Sequence, residues 1–217
     1  PVFFGFDKKN DIYAEDVESK GLAGTVFTAV TPKGKMRLRV NVPGHHMVSN
    51  ALAAVAIGLE LGLDEKQIAA GVAAFKPVSG HSSIVETDRF TIMDDCYNAN
   101  PVSTKAGLDV LAEAEERKVA ILGDMFELGS DERKLHYEVG EYAADKGIDC
   151  IVCAGELAKE YYDGAKAAGK TDGLYYFATR DEAVDRLKNI VKENDAILVK
   201  ASHGMKFEKI VEVLKQM

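Results

Sequence analysis

Three short runs of this 217-residue sequence concentrate groups able to bind or position a charged ligand. Asp94-Asp-Cys-Tyr-Asn-Ala-Asn-Pro101 sets two carboxylates beside an aromatic ring and two amides. A carboxylate at a strand end can accept both hydroxyls of a ribose, which makes Asp95 a candidate nucleotide ligand. The same Asp can form a turn into the helix after Pro101, and the two roles are compatible. Tyr97 and Asn98 can contact a nucleotide, and Asn98 and Asn100 can shape the loop and offer amides to a substrate. Lys200-Ala-Ser-His-Gly-Met205 brings together a cation, Lys200, and a hydroxyl, Ser202, a pair that can hold a carboxylate or a phosphate. Gly123-Asp-Met-Phe-Glu-Leu-Gly129 presents Glu127, either a group for ligand or metal-bound water or simply a solvated loop Glu. His136, downstream on a helix, reads as a packing or domain-contact residue rather than a base.

The elements that must position these groups follow from the hydrophobic pattern. Strands are predicted at Ile84–Glu86, Phe90–Met93, Val119–Leu122, Cys150–Ala154, Leu174–Phe177 and Ala196–Val199. Helices are predicted at Ser103–Glu115, Glu132–Lys146, Glu156–Ala168, Asp181–Glu193 and Lys206–Lys215. Repeated strand–helix units with short connections give an α/β fold with a doubly wound, mostly parallel, Rossmann-like sheet. Ligands bind such sheets beyond the carboxyl ends of the strands, and all three runs lie at such ends. The earlier residues differ. Val2–Phe6 and Ile12–Val17 read as strands, Gly24–Thr31 and Lys35–Val42 as a hairpin about Thr31-Pro-Lys-Gly34, and Asn50–Leu61 as a buried helix. Asp64 caps a second helix that ends before Pro77. The expected division is 1–76, a linker 77–81, and 82–217.

Composition narrows the function classes. A formal net charge of -8 argues against a nucleic-acid partner. The acid is uneven: residues 1–76 carry 9 Lys/Arg and 8 Asp/Glu, the remainder 18 and 27. No run of roughly 18 apolar residues exists to span a membrane, and no leader pattern opens the sequence. Cys96, Cys150 and Cys153 are too few and scattered for a disulfide framework, which points to a reducing, cytoplasmic setting. Cys150 and Cys153 spell C-x-x-C, yet positions three apart on a strand face opposite ways, so no metal site is expected.

Gly164-Ala-Lys-Ala-Ala-Gly-Lys-Thr171 matches the phosphate-loop pattern letter for letter. That chemistry needs a strand before the loop and a helix after it. Here the order is reversed, and Ala-Lys-Ala-Ala favours helix. The segment reads instead as a helix end closed by Gly169, with Lys166 and Lys170 near the negative pole of the dipole.

Four segments in register resemble the MurF-type members of the Mur ligase family. Pro43-Gly-His-His-Met-Val-Ser-Asn-Ala-Leu-Ala-Ala54 is similar to that family's P-G-x-H-N-x-x-N-A-L-A-A, and residues 94–101 resemble D-D-S-Y-N-A-N-P. Residues 123–129 with His136 resemble G-D-M-x-E-L-G and its downstream His, and residues 200–205 resemble K-G-S-R-G-M. The resemblance implies an ATP- and Mg²⁺-dependent ligase joining D-Ala-D-Ala to UDP-N-acetylmuramoyl-tripeptide through an acyl phosphate, for peptidoglycan synthesis. It assigns Asn50, on the first helical turn, to the adenine edge, with His46 beside the base. It makes 1–76 the end of a central ATPase domain and 82–217 a C-terminal domain holding the dipeptide between Tyr97–Pro101 and Lys200–Ser202. Met47, His81 and His203 depart from the pattern, standing where the family has Asn, Arg and Arg; a neutral His is a poor substitute for a phosphate-binding guanidinium, so His81 is only a candidate nucleotide contact. The family's UDP-binding domain, phosphate loop, metal-binding segment and modified lysine have no counterpart in these residues, so an inactive fragment is expected. Alternatives are a folylpolyglutamate-type or cyanophycin-type ligase, and a non-catalytic nucleotide-binding module.

Overall fold

A computed structural model describes residues 1–217, which form two compact units, Pro1–Pro77 and Val78–Met217. No helix is long and apolar enough to cross a membrane.

The first unit is a four-stranded sheet in the order β1 (Phe4–Gly5), β2 (Ile12–Ser19), β3 (Thr25–Thr31) and β4 (Gly34–Val40). β1 runs parallel to β2, and the other pairs are antiparallel. Strict alternation buries Phe27 and Ala29 of β3 and Met36, Leu38 and Val40 of β4 on one face. Helices α1 (His45–Glu60) and α2 (Glu65–Ala74) cover that face with Val48, Leu52, Val55, Ile68 and Val72. Asp64 and Gln67 form a reciprocal capping box that starts α2. The first helix begins earlier than its apolar pattern indicates. Gly44, at φ 109°, turns the chain directly into His45, so Asn50 lies on the second turn rather than the first. The pattern misses this turn because its first two residues are histidines; Met47 and Val48 already face the core.

The second unit is a six-stranded sheet in the order β5 (Ser83–Glu86), β6 (Phe90–Asp95), β10 (Asp195–Lys200), β7 (Lys118–Gly123), β8 (Cys150–Ala154) and β9 (Leu174–Phe177). Only the edge pair β5–β6 is antiparallel. Every residue of β8 and β10 is buried, as parallel strands covered on both faces require. Helices α6 (Arg180–Ile190) and α7 (Glu208–Lys215) close one face with Leu187, Ile190, Phe207, Ile210 and Leu214. Each such side chain contributes about 1.5–3 kcal/mol on burial. α3 (Pro101–Ala112), α4 (Glu132–Asp145) and α5 (Ala158–Ala167) complete the helical set. α4 and α5 approach with almost no space between backbones: a Cβ on Gly140 would lie 2.1 Å from the Tyr161 carbonyl oxygen, and one on Gly164 2.1 Å from that of Tyr137. Gly164 is therefore a helix-packing glycine. α5 ends in a Schellman turn, with Gly169 at φ 94°, its amide on the Lys166 carbonyl and the Lys170 amide on that of Ala165. No phosphate loop forms there.

Candidate functional site

Chain order breaks at the centre of the six-stranded sheet. β6 leads through α3 to β7, skipping the place between them that β10 fills at the end of the chain. The carboxyl ends of β6, β10 and β7 thus flank a topological switch point, where doubly wound folds bind ligands. Residues 94–101, 200–205 and 123–129 all leave the sheet there.

The first link between these loops is an ion pair. Lys200 and Asp95 are register partners, and the Lys200 ammonium closes on Asp95 Oδ2. Lys200 Nζ also donates to the Asn98 carbonyl at 3.0 Å. The lysine side chain is 1% exposed, its stem lying along Gly107 of α3. Its charge is directed at Asp95 and the loop rather than presented at the surface. Asp95 Oδ1 accepts from the amide and hydroxyl of Ser82, at 2.9 and 3.0 Å, so both of its oxygens have protein partners.

Asp94 does similar work one residue earlier. Its Oδ2 accepts from Ser79 Oγ and the Gly80 amide, both at 3.0 Å, and its Oδ1 from the Cys96 thiol at 2.8 Å. Burial together with that carboxylate pushes the Cys96 thiol well above its ordinary range. Residues 79–82 are consequently fastened to the end of β6 instead of forming a free tether. This places His81 against Tyr97, ring centroids 4.3 Å apart, with His203 on the same tyrosine at 5.1 Å. Tyr97 remains 51% exposed between the two imidazoles. Asn100 is the N-cap of α3, its Oδ1 accepting from the Ser103 amide at 2.9 Å, so half of its amide group is occupied in starting the helix. Asn98 keeps an exposed side chain.

The third loop is held just as firmly. The Met125 amide donates to His136 Nε2 at 2.8 Å, and the Phe126 amide to Ser202 Oγ at 2.8 Å. Ser202 in turn donates its amide to the Asp124 carbonyl at 3.0 Å. His136 is fully buried against Tyr161. Because its Nε2 accepts, its Nδ1 carries the proton and donates to the Glu132 carbonyl. Burial lowers its pKa, so it serves packing and loop support as a neutral ring. Glu127, next along, is exposed at φ 63°.

Asp124 was not singled out by the sequence, yet it settles where a phosphate does not go. Its carboxylate sits in the turn between β8 and α5, accepting from the Ala158 amide at 2.7 Å, with the Leu157 and Glu156 amides also directed at it. A Cβ on Gly155 would collide with it at 2.2 Å. That strand–glycine–helix turn has the form of an anion site, and the protein's own carboxylate fills it. In the first unit, His46 and Asn50 lie one turn apart on α1 and are both exposed, on a shared face, as two ligands of one flat base require. Met47 is buried in the core, and the Asn50 amide rests on its sulfur at 3.5 Å. The turn at Gly155, filled by Asp124, offers a phosphate no cradle. No cluster of metal-ligating side chains occurs.

Residues 82–203 match the family described as "Mur ligase, glutamate ligase domain", and residues 1–58 match the Mur ligase middle domain. The chain is 35% identical over 196 residues to the UDP-N-acetylmuramoyl-tripeptide–D-alanyl-D-alanine ligase of Escherichia coli, covering 89% of this chain and 42% of that protein. It is 33% identical to the Bacillus subtilis ligase of the same name, covering 97% of this chain and 46% of the relative. Among solved structures it superposes on MurF from Acinetobacter baumannii with a TM-score of 0.88 at 28% identity, covering 100% of this chain and 47% of the other. The Thermotoga maritima MurF, solved in complex with ADP, shares the fold at a TM-score of 0.81 and 22% identity, with 99% and 48% covered. The chain spans less than half the length of the curated relatives it matches.

Proposed function

This chain belongs to the Mur ligase family, and from that premise we propose that it contributes to the ATP-dependent joining of D-alanyl-D-alanine to UDP-N-acetylmuramoyl-tripeptide in the cytoplasm. The observation that carries the proposal is the convergence of Tyr97, Asn98, Ser202 and the Lys200–Asp95 pair on one switch point. When bound, ATP with Mg²⁺ would supply phosphoryl activation of the tripeptide carboxylate. The chain's own part is positioning, which such chemistry chiefly needs. His46 and Asn50 are the first unit's groups for an adenine, and Tyr97 is the second unit's exposed ring for a nucleoside, with Asp95, held by Ser82 and Lys200, shaping the loop that carries it. Asn98, the free amide nitrogen of Asn100 and the Ser202 hydroxyl orient the dipeptide. Lys200 acts through Asp95 and the Asn98 carbonyl, holding the 96–100 loop in shape. Three free, buried cysteines are consistent with a reducing compartment.

The proposal is tested by titrating D-Ala-D-Ala into the isotope-labelled 217-residue chain. Amide shifts should concentrate in residues 96–101, 125–128 and 201–204, and L-Ala-L-Ala should produce weaker ones. Shifts scattered over both units, or equal for the two enantiomers, would refute it. On its own the chain should release no phosphate from ATP, because Asp124 occupies the strand–glycine–helix turn at Gly155 and Gly164–Thr171 closes a helix.

A further inference from the structure

Residues 124–128 leave β7 along one side of the switch point, and three polar contacts fix their backbone. The Asp124 carboxylate accepts from the Ala158 amide at 2.7 Å, the Met125 amide donates to His136 Nε2 at 2.8 Å, and the Phe126 amide donates to Ser202 Oγ at 2.8 Å. The middle contact depends on a bare ring nitrogen. His136 Nδ1 lies 2.6 Å from the Glu132 carbonyl oxygen, which can only accept, so Nδ1 carries the one proton of the neutral ring. A second proton has a single place to go. It would make Nε2 a donor facing the N–H of Met125, and two facing donors cannot bond.

We propose that His136 is a proton-operated latch, holding the loop after β7 against Ser202 while neutral and releasing it when protonated. The ring is fully buried and packs on Tyr161, so it cannot meet water without the loop moving. Negative charge reaches it from Asp124 on the loop, from Glu132 on α4 and from Glu160 on α5, the last paired with Arg133 at 2.9 Å. Burial outweighs that charge and keeps the folded ring neutral at pH 7. The state that takes the proton is therefore an opened one, with the ring and the Met125 amide both in solvent. The Met125 side chain stays buried beside Thr104 of α3, so the opening swings the exposed Phe126 and Glu127 and withdraws the Phe126 amide from Ser202. The bearing of the latch on the dipeptide rests on the reading above, which sets the dipeptide against Ser202. The latch itself needs no ligand.

The test is amide hydrogen exchange on the 217-residue chain. Corrected for intrinsic rates, protection of the Met125 amide should fall by up to about tenfold for each pH unit below 6.5, the limit for one proton taken up on opening. It should also stay well below the protection of Ile121, inside β7, which needs a larger opening. In His136→Gln, whose side-chain oxygen accepts from Met125 without titrating, the profile should be flat. Ring-nitrogen shifts of the wild type at neutral pH should show a protonated Nδ1 and a bare Nε2, a reading that needs no variant. Met125 protection equal to that of Ile121 at every pH would mean that the loop opens only with the whole unit, and overturns the latch. A flat profile in wild type, a sloping one in His136→Gln, or a proton on Nε2 at neutral pH overturns it as well. If the exchange profile holds and D-Ala-D-Ala shifts no amide at neutral pH, the functional reading fails and the latch stands.

Discussion

Lys200 and Asp95 occupy paired positions on adjacent parallel strands, and the ammonium of one meets the carboxylate of the other with the lysine side chain sealed beneath α3. Breaking such a pair leaves one buried charge uncompensated, which costs about 3–5 kcal/mol. Lys200→Met should lower the stability of the second unit by that amount, measured by urea titration with amide exchange read on β6 and β10. Lys200→Met with Asp95→Asn should cost less than the two single changes added together. A Lys200→Met chain of full stability would show instead that the lysine acts on substrate.

His136 makes stability depend on pH in a defined window. Burial lowers its folded pKa beneath the ordinary 6.5, so the unfolded chain binds the extra proton first. The contribution of the neutral ring is whole above pH 6.5 and is lost as pH falls below it. His136→Gln keeps an acceptor for the Met125 amide and cannot be protonated. The stability difference between wild type and this variant should therefore shrink steadily below pH 6.5. A difference that grows with acid would contradict the buried neutral ring.

Gly164 and Lys170 separate helix packing from phosphate binding. Gly164→Ala forces a Cβ to within 2.1 Å of the Tyr137 carbonyl oxygen and should destabilise by roughly 1–3 kcal/mol, as overpacking does. Lys170→Ala removes one exposed bond to the Asp149 carbonyl and should stay within about 0.5 kcal/mol of wild type. Thermal melts of the two variants check both figures. Loss of ATP binding in Lys170→Ala would restore the phosphate-loop reading.

The three thiols should be inert in the native chain. Cys150 is pushed up to about 11 by burial, and burial raises Cys96 and Cys153 further still. Thiolate is the reactive form, so disulfide reagents at pH 8 should label the folded chain orders of magnitude more slowly than the urea-unfolded chain. Rapid labelling of one native cysteine would expose a local opening.

How far the sequence predicts this structure varies with what each residue's neighbours do. The strand cores of β8 and β10 show as apolar runs because parallel strands need apolar surface on both faces. Asp64 announces α2 by its cap, whereas α1 hides its first turn behind His45 and His46. The three chemistry-bearing runs do emerge at one switch point, as strand–helix alternation implies. Partnerships across the sheet are another matter. That Lys200 is spent on Asp95, 105 residues away, depends on β10 inserting between β6 and β7, an order that local pattern does not encode. The segment at 77–81 reads as a linker from its proline and glycine, but the Ser79 and Gly80 contacts to Asp94 arise only once β5 lies against β6. Asp124 and the left-handed Glu127 leave no periodic signal at all.

The carboxylate of Asp124, enclosed by the amides at the head of α5, amounts to a captive counter-ion. It leaves that turn of the second unit satisfied from within the chain. Nothing dissolved has to arrive for that turn to be satisfied, so the melting temperature should be indifferent to sulfate or phosphate. Exchange the tethered anion for none, as in Asp124→Gly, and the same amides become a vacancy open to the solvent. Stability should then rise with the logarithm of sulfate concentration once binding saturates, the signature of a ligand that favours only the folded state. What is now an internal bond of the chain would become a buffer-dependent equilibrium.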